Sequence, residues 1–559
     1  MIPFDASGDF RPVAEDSDLR RLAVRGAAAT VLAQALTLGA QVGSTVILAR
    51  LLTPADFGVV AMVTTFSLLL TNVGLNGLTE ALIQCKELDR YTASNLFWLN
   101  LGAGLVLAIV LAASGSVLAR LYRNPLVANV AIANSPAIFI AAASTIHLAL
   151  LKRAMRFAGP SVNDVVARVV YGVVTILLAL RGWGYWALVA GLVAYALSTT
   201  IGALWLCRWI PSLPRRGVGT CSILKFAAKV YGRFSVDYFT RNFDNLLVGW
   251  QFNAAALGFY KKAYDLFALA ASQLISPLHN VALAALSRLN QDLPRFRRYL
   301  ANSLGIVAFV GMAAGADLTL IGKDVVRLVL GPKWSESGRI FELFGPGIGV
   351  MLLYSTVGWI HLSIGKPGRW LRWTLVESAA TALLFILALP WGPTGVAAAW
   401  SVSFWILLIP AFWYAGRPIG FGVWSLIAAV WRYAAASLLA GLATATIAPR
   451  IAISDSPTGA GAALEAIIII SVLFVTLYLG AVTVLHGGCA PIRQLANLLR
   501  ELTSEKITTG SASAVVTRCT SATDATDRSP HTVGEGQSCS PQPERQIGLC
   551  PKTLRHGGD

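Results

Sequence analysis

Apolar runs about twenty residues long return along this chain between residues 27 and 486, with hardly a polar gap between them. A hydrocarbon core about 30 Å thick takes roughly 20 helical residues to cross, and about fourteen stretches meet that length. The chain has 559 residues, of which 55% are hydrophobic and only 13% charged. A soluble protein of that size needs far more polar surface to cover itself. In lipid a helix satisfies its own backbone, so the expected fold is an all-α polytopic membrane protein.

The basic residues argue for orientation. Loops on the N-terminal side carry Lys86 and Arg90, then Lys152, Arg153 and Arg156, then Arg208, Arg215 and Arg216, with further clusters at 288–298 and 366–372. The opposite loops hold about half as many, which places both termini in the cytoplasm. The net charge of +17 therefore sits in short clusters between apolar segments. No interleaved basic and aromatic surface is present, and no nucleic-acid partner is expected. The seven cysteines form no CxxC pair, and no metal or other cofactor is expected. Residues 1–25 lack a short apolar core with a cleavage site, so the first span is expected to act as the insertion signal.

The chain repeats itself. Offset by 200 residues, LLTPADFGVVAMVTTF (51–66) meets QFNAAALGFYKKAYDL (251–266), with Gly58 over Gly258. A second echo sets WGYWALVAG (183–191) against WGPTGVAAA (391–399). Matched spans starting from the same side suggest parallel repeats about an axis along the membrane normal. The expected organisation is a cytoplasmic segment over 1–25, an N-lobe of spans 1–6 over 26–207 and a C-lobe of spans 7–12 over 222–415. Two extra helices follow over 422–486. Residues 487–559, rich in Ser, Thr, Gly and Pro, are expected to be a disordered cytoplasmic tail.

One span breaks the apolar rule. In KFAAKVYGRFSVDYFTRNFDNLLVGW (225–250), Arg233, Asp237, Arg241 and Asp244 fall within a helical arc of about 80°, and Lys225 and Lys229 lie nearer the end. A charge at mid-bilayer costs from about 3 to over 10 kcal/mol, so this stripe should face protein or water. Two readings fit. The charges are ion pairs inside a bundle, or they line a hydrophilic cavity in which surplus arginine meets an anionic group such as a phosphate. Asn163, Asp164 and Arg168 open span five, and Tyr260, Lys261, Lys262, Tyr264 and Asp265 open span eight. Gln34, Gln41, Asn72 and Asn76 could meet sugar hydroxyls, although interhelical hydrogen bonding is the better reading of a lone amide. His147, His361, Glu377 and Glu465 stand isolated. No HExxH, P-loop or GxSxG occurs in a suitable context, so no enzyme constellation is expected.

ARLLTPADFGVVAM, ALIQCKELD, FWLNLGAG, GWGYWALVAG, RNFDNLLVGW, ALGFYKKAYDL, LGPKW and LPWGPTGVAAAW stand in one order along residues 20–480. As a set they resemble bacterial polysaccharide exporters of the Wzx/WzxC type. These are flippases of the multidrug/oligosaccharidyl-lipid/polysaccharide superfamily. The resemblance implies a two-lobed bundle that moves an undecaprenyl-pyrophosphate-linked oligosaccharide across the bacterial inner membrane, alongside a polymerase and other pathway proteins. Arg241, Asn242, Asp244 and Asn245 fall in its second-lobe motif. Lys225, Lys229 and Arg233 lie outside that motif, so their part rests on the charge argument. The candidate substrate-binding set is Arg233, Asp237, Arg241, Asn242, Asp244, Asn245, Arg168 and Lys229. The alternatives are a drug or cation antiporter of the same superfamily, which calls for an acidic cavity, and a membrane polysaccharide polymerase, which calls for a large external loop. A lipid II flippase shares the expected fold with a different headgroup.

Overall fold

The computed structural model describes residues 16–74, 88–215, 241–451 and 460–491, with short pieces at 3–5 and 8–10 and single residues at 79, 82, 238, 239 and 493. The first half of the chain supplies α1 (Asp16–Leu51), α2 (Pro54–Gly74), α3 (Arg90–Leu121), α4 (Leu126–Arg153), α5 (Ala158–Leu180) and α6 (Tyr185–Leu206). A helical stretch over 241–251 is α7. Then come α8 (Ala254–Arg288), α9 (Leu293–Val329), α10 (Ser335–Ser355), α11 (Val357–Ser363), α12 (Pro367–Ala388), α13 (Gly392–Gly416), α14 (Val423–Ile447) and α15 (Ala460–His486). Within a residue or two at the ends, the described part of every expected span is helical, with one break at Thr356.

Among the described residues, eleven stretches are long and apolar enough to cross a membrane. Helix α8 has 35 residues but is not one of them. Lys261, Lys262 and Asp265 fall in its first half, so its length is helical without being uniformly apolar. Large apolar side chains such as Val106, Ile109, Leu177, Leu442 and Val472 point outward, each roughly half exposed or more. In water such a surface would aggregate, whereas acyl chains cover it at no cost. Within the bundle, Gly311 and Gly315 of α9 meet Gly345 and Gly349 of α10 backbone to backbone, the small-residue contact that lipid-embedded helices use to approach closely.

Packing follows the chain. In the first half α3 runs along α4, α5 along α6, and α1 along α5. In the second half α9 runs along α10, α10 packs on α13, and α14 and α15 cover α9. Helices α2 and α8 join the halves. Both begin with a cap at equivalent positions of the repeat. Thr53 and Asp56 bond reciprocally to each other's backbone N–H at 3.3 and 2.9 Å, a capping box. Asn253 accepts from the Ala256 N–H at 2.8 Å. Five residues further on each helix reaches a glycine, and the two glycines make reciprocal contacts. A Cβ on Gly58 would lie 1.7 Å from the Ala254 carbonyl oxygen, and one on Gly258 would lie 1.9 Å from that of Pro54. Gly58 and Gly258, and Pro54 and Ala254, are pairs separated by the same 200 residues. The contact is thus locally two-fold, each residue meeting its counterpart's neighbour.

Candidate functional site

Just inside this crossing lies a cavity of about 370 Å³, walled by α1, α2, α5 and α6 of the first half and by α8 and α9 of the second. Its polar lining comes from Gln41, Arg168, Tyr171, Tyr195, Lys262 and Asp265, with the hydroxyls of Ser44 and Thr45. On the α5 wall the Arg168 Nε donates to Asp164 Oδ2 at 3.0 Å, and the Tyr195 hydroxyl donates to Asp164 Oδ1 at 2.7 Å. Both carboxylate oxygens are therefore occupied, and the guanidinium rests 5.9 Å from the Tyr195 ring centroid. The spacing is helical: Asp164 and Arg168 are four residues apart and share a face.

The α8 wall uses the same device with a different balance. Lys261 pairs with Asp265 one turn on. Lys262 is left over. Its ammonium sits 4.1 Å from the centroid of the Phe57 ring, and among the described residues it makes no ion pair. A cation over an aromatic face gains about 0.5–2 kcal/mol, less than full hydration would supply. Three cations against two carboxylates give the cavity and its rim an excess positive charge.

The structure distributes the expected site residues unevenly. Arg168 lines the cavity, as do Gln41, Lys262 and Asp265. Residues 241–245 do not line it. Arg241 is exposed on α7, and the Asn242 amide donates to the Tyr238 carbonyl at 3.0 Å. Asp244 is buried; it accepts from the Tyr260 hydroxyl at 2.8 Å and from the Asn245 N–H at 2.7 Å, tying α7 to α8. Asn245 is buried beside it, and its side-chain amide has no hydrogen-bond partner among the described residues. Lys225, Lys229, Arg233 and Asp237 lie outside the described residues, as do Asn76 and the side chain of Asn72. The Asn163 amide donates to the Thr199 carbonyl at 2.9 Å, a link between α5 and α6. Gln34 is exposed on α1. His147 bonds two backbone carbonyls, and among the described residues no cluster of His, Cys, Asp and Glu could hold a metal ion.

Tyr171 and Tyr195 went unremarked in the sequence, and Phe57 stood out only in the repeat, over Leu257. Aromatic residues in an apolar span carry no signal of their own, and only the cavity sets them apart.

Residues 47–339 match the polysaccharide biosynthesis protein family. The chain belongs to that family. The succinoglycan biosynthesis transport protein ExoT of Rhizobium meliloti is 24% identical over 352 residues, covering 63% of this chain and 71% of that protein. The lipopolysaccharide biosynthesis protein WzxC of Escherichia coli is 21% identical over 355 residues, covering 62% and 69%. Among solved structures, the lipid II flippase MurJ in an inward closed conformation aligns with a TM-score of 0.66 at 14% identity, over 82% of this chain and 98% of that one. An inward-facing multidrug transporter of the MATE family, in the MOP superfamily, aligns at 0.53 and 15% identity, over 69% and 94%. At these identities the likeness is one of fold. This polysaccharide biosynthesis protein is a polytopic helical membrane protein with a transporter fold.

Proposed function

We propose that this chain is a flippase, carrying an undecaprenyl-pyrophosphate-linked oligosaccharide from the cytoplasmic to the periplasmic leaflet of a bacterial inner membrane. The observation that carries the reading is the cavity between the two halves, where Lys262 supplies an ammonium that makes no direct ion pair among the described residues. A substrate with an anionic pyrophosphate and a hydroxyl-rich glycan needs a cation and hydrogen-bonding groups along its path. Lys262, Gln41 and the two tyrosines offer both. Transport of this kind forms and breaks no covalent bond, so the protein acts as a carrier. The names of its relatives, one a succinoglycan transport protein and one a lipopolysaccharide biosynthesis protein, support the polysaccharide assignment.

In this reading residues 26–207 and 222–415 are two lobes that rock about the cavity, 422–486 are accessory helices, and both termini are cytoplasmic. Arg233, Arg241 and Lys229 extend the cationic path, and Asp237 holds the arginines in place. A polysaccharide polymerase takes up the product on the far side. A drug or cation antiporter should have an acidic cavity, and the surplus here is positive.

The test is the sidedness of the lipid-linked repeat unit in membranes from cells with and without the chain, read with an impermeant lectin or glycosidase. Accumulation on the cytoplasmic face only when the chain is missing is the expected result. Normal crossing followed by failure to polymerise would move the protein to a later step.

A further inference from the structure

At the end of the molecule that carries the α1–α2 and α7–α8 turns, the halves are locked together. Trp334, fully buried in the turn Pro332–Trp334, donates its indole N–H to the Ala49 carbonyl oxygen at 2.8 Å. Arg50 reaches the Leu328 carbonyl at 3.4 Å beside it. The Trp334 ring packs edge-on against Phe57 of α2 at 5.5 Å and against Phe259 of α8 at 5.9 Å. The Ser337 hydroxyl donates to the Phe259 carbonyl at 2.8 Å, fixing the start of α10 to α8. Trp334 is thus clasped by helices of both halves, next to the Gly58–Gly258 crossing.

Phe57 belongs to two assemblies. One is this clasp; the other is the cavity, where the same ring carries the Lys262 ammonium. We propose that Phe57 is the positioning residue that couples the charge state of the cavity to the Trp334 clasp, so that an anionic phosphate drawing Lys262 off the ring loosens the closed end. The proposal rests on the transport reading above and adds the route by which substrate would open its own exit. The physical ground is a competition. A charge-assisted hydrogen bond to a phosphate oxygen is stronger than the attraction of an ammonium to a ring. An anion therefore favours the arrangement in which Lys262 has left Phe57, and a ligand shifts a conformational balance only through such a difference. Once Lys262 leaves, Phe57 loses a neighbour on the cavity side and holds the indole less firmly.

The test uses the full chain in sealed vesicles. Thr45 lines the cavity, so a Thr45→Cys thiol, labelled by an impermeant maleimide added on the clasp side, reports opening against the same chain without that cysteine. Inorganic pyrophosphate loaded on the side of the termini is the probe anion. It is expected to raise the labelling rate about threefold or more. Phe57→Leu should label at one rate with or without pyrophosphate, and Phe57→Tyr should keep the response. Lys262→Gln should also lose it, which keeps the test valid if Phe57→Leu fails to insert. Trp334→Phe, which removes the indole N–H, should raise labelling about threefold to tenfold without any anion. A pyrophosphate response that survives in Phe57→Leu or Lys262→Gln would overturn the coupling, as would no response in the parent chain. Failure of the transport reading looks different: lipid-linked glycan crosses normally in cells without the chain, while the labelling response stays intact.

Discussion

On the α5 wall of the cavity Arg168 and Tyr195 occupy the two oxygens of Asp164, whereas on the α8 wall a single carboxylate, Asp265, accompanies two ammonium groups. The same helical spacing, a cation and a carboxylate four residues apart, serves both walls. On the first the carboxylate has both oxygens engaged, so that wall can hold its shape with the cavity empty. On the second, one ammonium makes no direct ion pair and rests on a ring. A group whose bonding capacity is filled contributes to the fold, and a group with capacity left over is what a ligand meets. The halves share a plan where they touch at Gly58 and Gly258 and differ where they face the cavity.

The shared part of the plan predicts equal damage. Gly58→Ala and Gly258→Ala each push a Cβ into a backbone carbonyl that cannot swing away. Overpacking of this kind costs about 1–3 kcal/mol, enough to cut the closed population about fivefold to a hundredfold. Both variants should insert normally and lose lipid-linked glycan transfer to the same degree. Clearly unequal losses would mean that the two-fold contact is a local coincidence.

The unshared part predicts inequality. Lys262→Gln removes the surplus charge. Loss of one hydrogen bond to a charged partner, about 1.5–3 kcal/mol, should lower the transfer rate about tenfold to a hundredfold. Asp164→Asn, on the other wall, should act on the fold instead. The Arg168 and Asp164 side chains are each 38% exposed, so the broken pair is worth only about 1 kcal/mol. That loss is read as a lower unfolding midpoint in detergent, with transfer reduced about twofold at most. If Asp164→Asn slowed transfer as much as Lys262→Gln, the first wall would be as much a binding surface as the second.

Part of this was legible beforehand. The period of apolar runs sets out the helices because lipid admits few alternatives, and the 200-residue offset picks out Gly58 and Gly258 before their contact is seen. Arg168, Gln41, Lys262 and Asp265 stand out as polar residues in apolar spans. Their grouping does not, since it depends on α1, α5 and α8 converging from positions spread over more than 200 residues. The charge ladder of 225–244 draws the eye first, yet Asp244 turns inward to Tyr260 and the upper rungs lie outside the described residues. Charge along one helix reveals that something must face it, not which helix supplies the partner. Trp334 is further still from view: its bond to Ala49 joins residues 285 apart, and nothing local to LGPKW announces it.

The smallest expected effect bears on whether the α5 wall acts as one unit. If Arg168 and Tyr195 both lean on Asp164, the stability losses from Asp164→Asn and Tyr195→Phe should not add. Tyr195→Phe alone removes one hydrogen bond to a charged group and leaves Oδ1 without it, a loss of about 1.5 kcal/mol. After Asp164→Asn the same change should remove less, because the carboxylate that strengthened the bond has gone. A coupling of about 0.5–1 kcal/mol in a double-mutant cycle of unfolding midpoints is the expected result. Strict additivity would mean that Tyr195 contributes through packing alone. Arg168 would then lose the third member that holds its carboxylate in place, and the α5 wall would be closer in character to the α8 wall than the distances suggest.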